Sequence, residues 1–130
     1  MGCRAATAKG WALRATLEAN YHDHACFSTL TYATENLPLT LSKRDLQLGI
    51  KRIRKALGAD RPIRHLSCGE YGERRGRPHY HSIFFGLRSQ DRKLVEDAWG
   101  LGTVHTEDIS PQRISYVAGY TRAKVRYAFE

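Results

Sequence analysis

Long apolar runs are missing from this chain of 130 residues. Its apolar stretches fall far short of the ~20 residues that a membrane-spanning helix needs, and the opening Met-Gly-Cys-Arg lacks the charged-then-apolar order of a secretion signal. A soluble intracellular protein is the expectation. Cysteine is scarce: Cys3, Cys26 and Cys68 are odd in number, far apart and without a CxxC pair. That argues against a disulfide framework, a structural zinc site and a thiol redox motif, and leaves reduced thiols used for packing. Acidic residues are also few, 13 against 21 Lys+Arg, giving a formal charge of +8 and a pI near 9.7. Such a balance favours a polyanionic partner, either nucleic acid or an anionic surface. No Walker A glycine loop occurs, so no nucleoside-triphosphate site is signalled. Repeats and low-complexity segments are absent too, and residues 1–130 are expected to form a single domain. The chain stops at Phe-Glu directly after a stretch with helical character, as the N-terminal part of a longer protein would.

Secondary structure is well signalled. Residues 7–20 hold helix formers with Leu13 and Leu17 at i, i+4. Cys26 to Tyr32 alternates apolar with small polar residues, as a half-buried strand should, and residues 34–40 read as a loop. Ser42 is a plausible N-cap with Asp45 at N3; Leu46, Ile50, Ile53 and Leu57 make the apolar stripe of a helix that Gly58 stops. The polar face of that helix carries Lys43, Arg44, Lys51, Arg52, Arg54 and Lys55, which fits a solvated face and a DNA-backbone contact equally well. Residues 63–71 and 79–86 form a predicted hairpin around Gly-Glu-Arg-Arg-Gly. A short helix capped by Ser89 runs to Trp99 with Leu94, Val95, Ala98 and Trp99 as its stripe; residues 103–109 make a strand, and Ser110-Pro111 starts a last helix reaching Val125. The order α-β-α-β-β-α-β-α implies an α+β fold, a central antiparallel sheet with packed helices.

Chemistry concentrates at two places. In Arg77-Pro-His-Tyr-His81, strand periodicity projects His79 and His81 from the same sheet face, embedded in an apolar run where an unmetallated imidazole pair would need other partners. His22-Asp23-His24 has the same spacing but lies in a polar segment and reads as surface histidines. A third ligand depends on hairpin register: closure over Arg74-Arg75 or Arg75-Gly76 sets Glu70 opposite His79 or His81, whereas a one-residue slip brings Glu73 there. Glu70 is preferred; otherwise it is a carboxylate paired with a nearby arginine. Two nitrogens and one carboxylate oxygen suit Mn²⁺ or Mg²⁺ acting as a Lewis acid on a phosphate oxygen, with zinc chemically allowed. On the last helix, Ile114, Val117, Ala118, Thr121 and Val125 form the core-facing arc, and Tyr116 and Tyr120 stand one turn apart on another stripe with Arg113 and Lys124. A phenol is a poor nucleophile near neutral pH unless its developing charge is stabilised, which neighbouring cations would do. Lys124 is placed to protonate a leaving oxygen or clamp a phosphate. Arg77, Arg113 and Arg122 are the candidate DNA contacts. Paired tyrosines suit an enzyme that cleaves twice.

In order and spacing, Cys26-Phe-Ser-Thr-Leu-Thr-Tyr32, Gly69-Glu-Tyr-Gly72, Arg77-Pro-His-Tyr-His81 and Tyr116-Val-Ala-Gly-Tyr120 resemble the replication initiators of gokushovirus-type microviruses, within the His-hydrophobic-His endonuclease superfamily. The likeness runs from about Trp11 to Val125. It implies a ferredoxin- or RRM-like endonuclease fold, His79, His81 and Glu70 on a divalent metal, and Tyr116 and Tyr120 as nucleophiles. It also implies rolling-circle replication: a nick at an origin leaving a 5′-phosphotyrosyl link, then rejoining of the displaced strand. The implied partners are single-stranded DNA at the origin and the host replication helicase and polymerase, with no membrane, in the host bacterial cytoplasm. A related transposase or plasmid relaxase, and a non-catalytic basic nucleic-acid-binding module, are the competing readings.

Overall fold

A computed structural model describes residues 2–72, 76–119 and 128–129. The elements in order are α1 (Gly2–Ala19), β1 (Ala25–Leu30), α2 (Lys43–Leu57), β2 (Arg64–Tyr71), β3 (Pro78–Phe85), α3 (Arg92–Trp99), β4 (Val104–Asp108), α4 (Pro111–Gly119) and β5 (Ala128–Phe129), with single 3₁₀ turns at Thr34–Asn36 and Ser89–Asp91. The strands form one antiparallel sheet in the order β4-β1-β3-β2-β5. This is the expected α+β architecture.

Alternation along the strands divides the side chains between two helical layers. Phe27, Leu66, Cys68, Ile83 and Phe85 pack with Ala15, Ile114 and Val117 beneath α1 and α4. Cys26, Leu30, Tyr80, Phe84 and Val104 face the other way, onto Leu46, Ile50, Ile53, Val95 and Trp99 of α2 and α3. Because both faces of β3 are covered, its end reads as an unbroken Ile83-Phe84-Phe85 run rather than as an alternating one.

The capping signals of α2 are realised. Ser42 accepts a hydrogen bond from the Asp45 N–H at 3.1 Å, and Gly58, at φ 81°, ends the helix in a conformation that suits glycine. Pro111 opens α4, and Ser110 Oγ accepts from the Arg113 N–H at 3.2 Å.

The structure fixes the buried side of α1, which the sequence left open, and corrects three expectations. Leu13 and Leu17 do not define the buried side of α1; they are 60% and 51% exposed. Trp11, Ala12, Ala15 and Ala19 face inward instead, because small side chains let α1 approach α4 and the sheet closely. Ser89 does not cap α3. A 3₁₀ turn comes first, and the Asp91 carboxylate accepts from the Arg88 N–H at 2.9 Å while pairing with Arg61 at 2.8 Å. His22 is not a plain surface histidine: it bonds Glu18 at 2.6 Å and lies against the Phe85 ring. Finally, the chain does not approach its end as helix alone. The described part of α4 runs to Gly119, and Ala128–Phe129 pair as a strand with Cys68 and Ser67, giving partners to backbone groups along the β2 edge.

One anchoring cluster positions β3. Tyr80, between the two histidines, points to the α2 side and is fully buried. Its hydroxyl accepts from the Ser42 N–H at 2.7 Å, donates to the Ser42 carbonyl at 3.0 Å and lies 2.9 Å from the Tyr32 hydroxyl, which donates to Asp45 at 2.9 Å. The rings of Tyr32, Tyr80 and Trp99 complete a triangle with centroids 5.5–5.9 Å apart. Gly69 is opposite Tyr80 in β2, and a methyl group there would come within 2.9 Å of Leu41. Replacing Tyr80 by Phe leaves a partly buried Ser42 N–H without its acceptor. Urea denaturation is expected to show a loss of about 1–3 kcal/mol with an unchanged m-value; an unchanged midpoint would show that the cluster contributes nothing to stability.

Candidate metal and tyrosine site

Glu70 stands directly opposite His79 in the β2-β3 ladder, so of the two registers the sequence allowed, the strands use the one that pairs Glu70 with His79 rather than with His81. Two residues along, His81 shares the face, and the three side chains converge. The Nε2 atoms of His79 and His81 lie 2.7 and 2.8 Å from the same Glu70 oxygen, Oε1. One ligand atom from each residue lies within 4.8 Å of the others, and the group is largely buried. Glu73 lies outside the described residues.

The far side of each ring explains why Nε2 is the atom presented. His79 Nδ1 lies 3.2 Å from the Arg77 carbonyl, which can only accept, so Nδ1 carries the proton in that bond. His81 Nδ1 meets the Thr29 hydroxyl at 3.1 Å, and its ring stacks on Phe27 at 5.3 Å. Burial lowers the His81 pKa, with Glu70 opposing the shift, so the neutral imidazole is favoured. A neutral ring protonated at Nδ1 aims the Nε2 lone pair at a carboxylate oxygen. Either a proton or a cation between them relieves that opposition, and two such nitrogens with one oxygen are the donor set of a divalent metal. The group therefore fits a metal ion. Cys68, opposite His81, is not part of it: burial first, then the Glu70 charge, push its thiol up to about 12, so it stays protonated and packs.

Tyr116 reaches this cluster from α4. Its hydroxyl donates to Glu70 at 3.0 Å from Oε1 and 3.2 Å from Oε2, and its ring meets His81 edge-on at 5.3 Å. The residue remains 43% exposed, leaving the phenol open to solvent beside the carboxylate. Of the two cations expected on the stripe with the phenol, Arg113 is the one among the described residues. Arg113 turns away to Glu107, at 2.7 and 2.9 Å, and to the Asp108 carbonyl. Arg77 donates to the Tyr32 carbonyl at 2.8 Å, beside the histidine strand. Tyr120, Arg122 and Lys124 lie outside the described residues. Thr29 was missed at the sequence level. Its place in the alternating run put it on the Phe27 face, but nothing local showed that β1 would pair with β3 in the register Thr29 to His81.

An antiparallel sheet with a His-Tyr-His strand at its centre, a carboxylate on the adjoining strand and a phenol brought in by the helix after β4 fits the His-hydrophobic-His arrangement. Residues 25–125 match the family described as replication-associated protein ORF2/G2P, and the chain belongs to that family. It is 31% identical to replication-associated protein VP4 of Bdellovibrio phage phiMH2K over 96% of this chain and 47% of that protein. Identity to replication-associated protein ORF4 of Chlamydia phage 1 is 30%, over 94% of the chain and 36% of the relative. Replication-associated protein ORF2 of Spiroplasma virus 4 is also 30% identical, over 96% and 47%. The chain spans less than half the length of these relatives. No solved structure matches it significantly.

If Glu70, His79 and His81 bind one cation, millimolar Mn²⁺ is expected to raise the thermal midpoint, by about 2.7 kcal/mol of stabilisation at a hundredfold excess over Kd. Glu70→Gln should remove most of that shift and Glu107→Gln none of it. An equal Mn²⁺ shift in Glu70→Gln would show that the ion binds elsewhere.

Proposed function

We propose that the chain is a metal-dependent endonuclease and strand transferase that nicks single-stranded DNA at a phage replication origin and later rejoins the displaced strand. The observation that carries this reading is the contact of the Tyr116 hydroxyl with a carboxylate that both imidazoles also touch. A divalent cation bound there, Mn²⁺ or Mg²⁺, supplies Lewis-acid polarisation of a phosphate oxygen.

The residues do the rest. Glu70 orients the hydroxyl: Oε1 is shared with the imidazoles, and Oε2, 3.2 Å from the phenol, is placed to receive its proton as the nucleophile attacks. The bond from the Tyr116 oxygen to phosphorus forms as the bond to the 3′ oxygen breaks. That oxygen takes a proton from Lys124 and leaves as a 3′-hydroxyl, while the 5′ end stays on the tyrosine. The phosphodiester is conserved as a phosphotyrosyl ester, so rejoining needs no nucleoside triphosphate. Tyr120 is the second nucleophile, attacking the regenerated origin while Tyr116 still holds a strand. Arg77 and Arg122 contact phosphates; Arg113, committed to Glu107, is left out. The 3′-hydroxyl is the primer a host polymerase extends, with a host helicase separating the strands, which places the reaction in the host cytoplasm.

A non-catalytic binding module accounts for the structure less well. Stacking on bases requires open aromatic faces, not a phenol directed at a carboxylate that two histidines share.

With a labelled single-stranded origin oligonucleotide and Mn²⁺, a denaturation-resistant adduct is expected. Tyr116→Phe should reduce it by at least about a hundredfold, the double Phe variant at Tyr116 and Tyr120 should abolish it, and EDTA should do the same while binding persists. An undiminished adduct in the double variant would refute the nucleophile assignment.

A further inference from the structure

The face of the sheet away from the histidines carries most of the chain's unbalanced charge. α2 holds six cations, Lys43, Arg44, Lys51, Arg52, Arg54 and Lys55, against one acid, Asp45, a net of +5 out of the chain's +8. All six are exposed. At about 100° per residue, Lys43, Arg44, Lys51, Arg54 and Lys55 fall within an arc of about 120°, flanking the separate arc of the buried Leu46, Ile50 and Ile53.

Several exposed cations outside α2 are paired with carboxylates. On α3, Arg92 pairs with Glu96 at 2.8 Å and Lys93 with Asp97 at 2.9 Å; Arg61 pairs with Asp91, Arg64 with Glu18 and Arg113 with Glu107. On α2, Arg52 caps the carbonyls of Ala98 and Trp99, and Arg54 donates to that of Ile63. Arg44, Lys51 and Lys55 have no carboxylate partner among the described residues. A solvated helix would be expected to resemble α3. Unneutralised like charges along one face cost self-repulsion unless an anion offsets it.

We propose that α2 is a second nucleic-acid contact, taking the phosphate backbone of duplex DNA without regard to sequence, on the sheet face opposite the nicking site. The choice of duplex follows from what the helix lacks. No aromatic residue occurs in its 15 positions, so it offers no platform on which unpaired bases could stack, only cations for a regular array of phosphates. An anionic membrane is disfavoured because the apolar face that would insert is already in the core, with Leu46 and Ile53 at 0% exposure. The geometry lets the protein hold the duplex flanking an origin on one side while the single strand enters the other. The charge on α2 is independent of the nicking chemistry.

The test is a full-length triple variant, Arg44→Ala, Lys51→Ala and Lys55→Ala, which touches neither the site nor the carbonyl-capping arginines. Its binding to a short labelled duplex of arbitrary sequence is measured across a salt series. The slope of log Kobs against log salt is expected to become shallower by about 2–3, with affinity near 0.1 M salt falling roughly a hundredfold or more. Adduct formation on the single-stranded origin oligonucleotide should be unchanged. An unaltered duplex slope would overturn the proposal, and so would an equal loss of affinity for single strands. Lost binding to phosphatidylserine vesicles with duplex binding intact would identify a membrane surface instead. If the wild-type protein gives no adduct, the nicking reading fails while the salt slope still decides this one.

Discussion

Everything at the site depends on how β3 is held from behind. Tyr80 is clamped to Ser42 on the α2 side, and the residues on either side of it are forced to the opposite face by strand alternation. His79 and His81 then point at Glu70, which the ladder sets directly across from His79. The cluster is therefore not an arrangement of flexible side chains. Each imidazole is tied at Nδ1, one to the Arg77 carbonyl and one to the Thr29 hydroxyl, and the free nitrogens converge on a single carboxylate oxygen. Preorganisation of this kind confines the ligand rotamers before any ion arrives.

The sheet also divides the electrostatics. On the α1-α4 side the groups around Tyr116 include a carboxylate and two imidazoles, a donor set that could hold a cation. Behind the sheet, α2 presents a row of like charges with apolar residues packed inward. Sequence-level reasoning placed positive charge beside the phenol, in Arg113; the structure pairs Arg113 with Glu107. In the proposed mechanism a developing phenolate would therefore be stabilised by a cation held by Glu70, His79 and His81 rather than by the Arg113 guanidinium.

Local signals were legible and long-range ones were not. The α2 cap, stripe and stop could be read to the residue, since Ser42, Asp45 and Gly58 act through their own backbone neighbourhood. The histidine strand was equally clear from its alternation. Hairpin register stayed open between two closures, because the arginine-rich turn accommodates either and only packing on both faces decides. The buried face of α1 could not be read from the leucine spacing, because it is an alanine stripe whose value appears only once α4 approaches. β5 was invisible: two residues pairing with an edge some 60 positions earlier leave no local periodicity. Thr29 belongs to the same class, since its partner is set by the β1-β3 register. Comparison with microvirus replication proteins agrees with the resemblance drawn from the four segments at 26–32, 69–72, 77–81 and 116–120, where local pattern and chemistry coincide.

The proposed mechanism requires one cation where Glu70, His79 and His81 meet, with the Tyr116 phenol at its edge. Anomalous diffraction from a Mn²⁺-soaked crystal tests it most directly. A strong peak is expected in contact with both Nε2 atoms and the Glu70 carboxylate, with the Tyr116 oxygen facing the same pocket. A crystal that binds Mn²⁺ elsewhere but shows no peak there, or a peak there with the Tyr116 phenol turned out of the pocket, would contradict it.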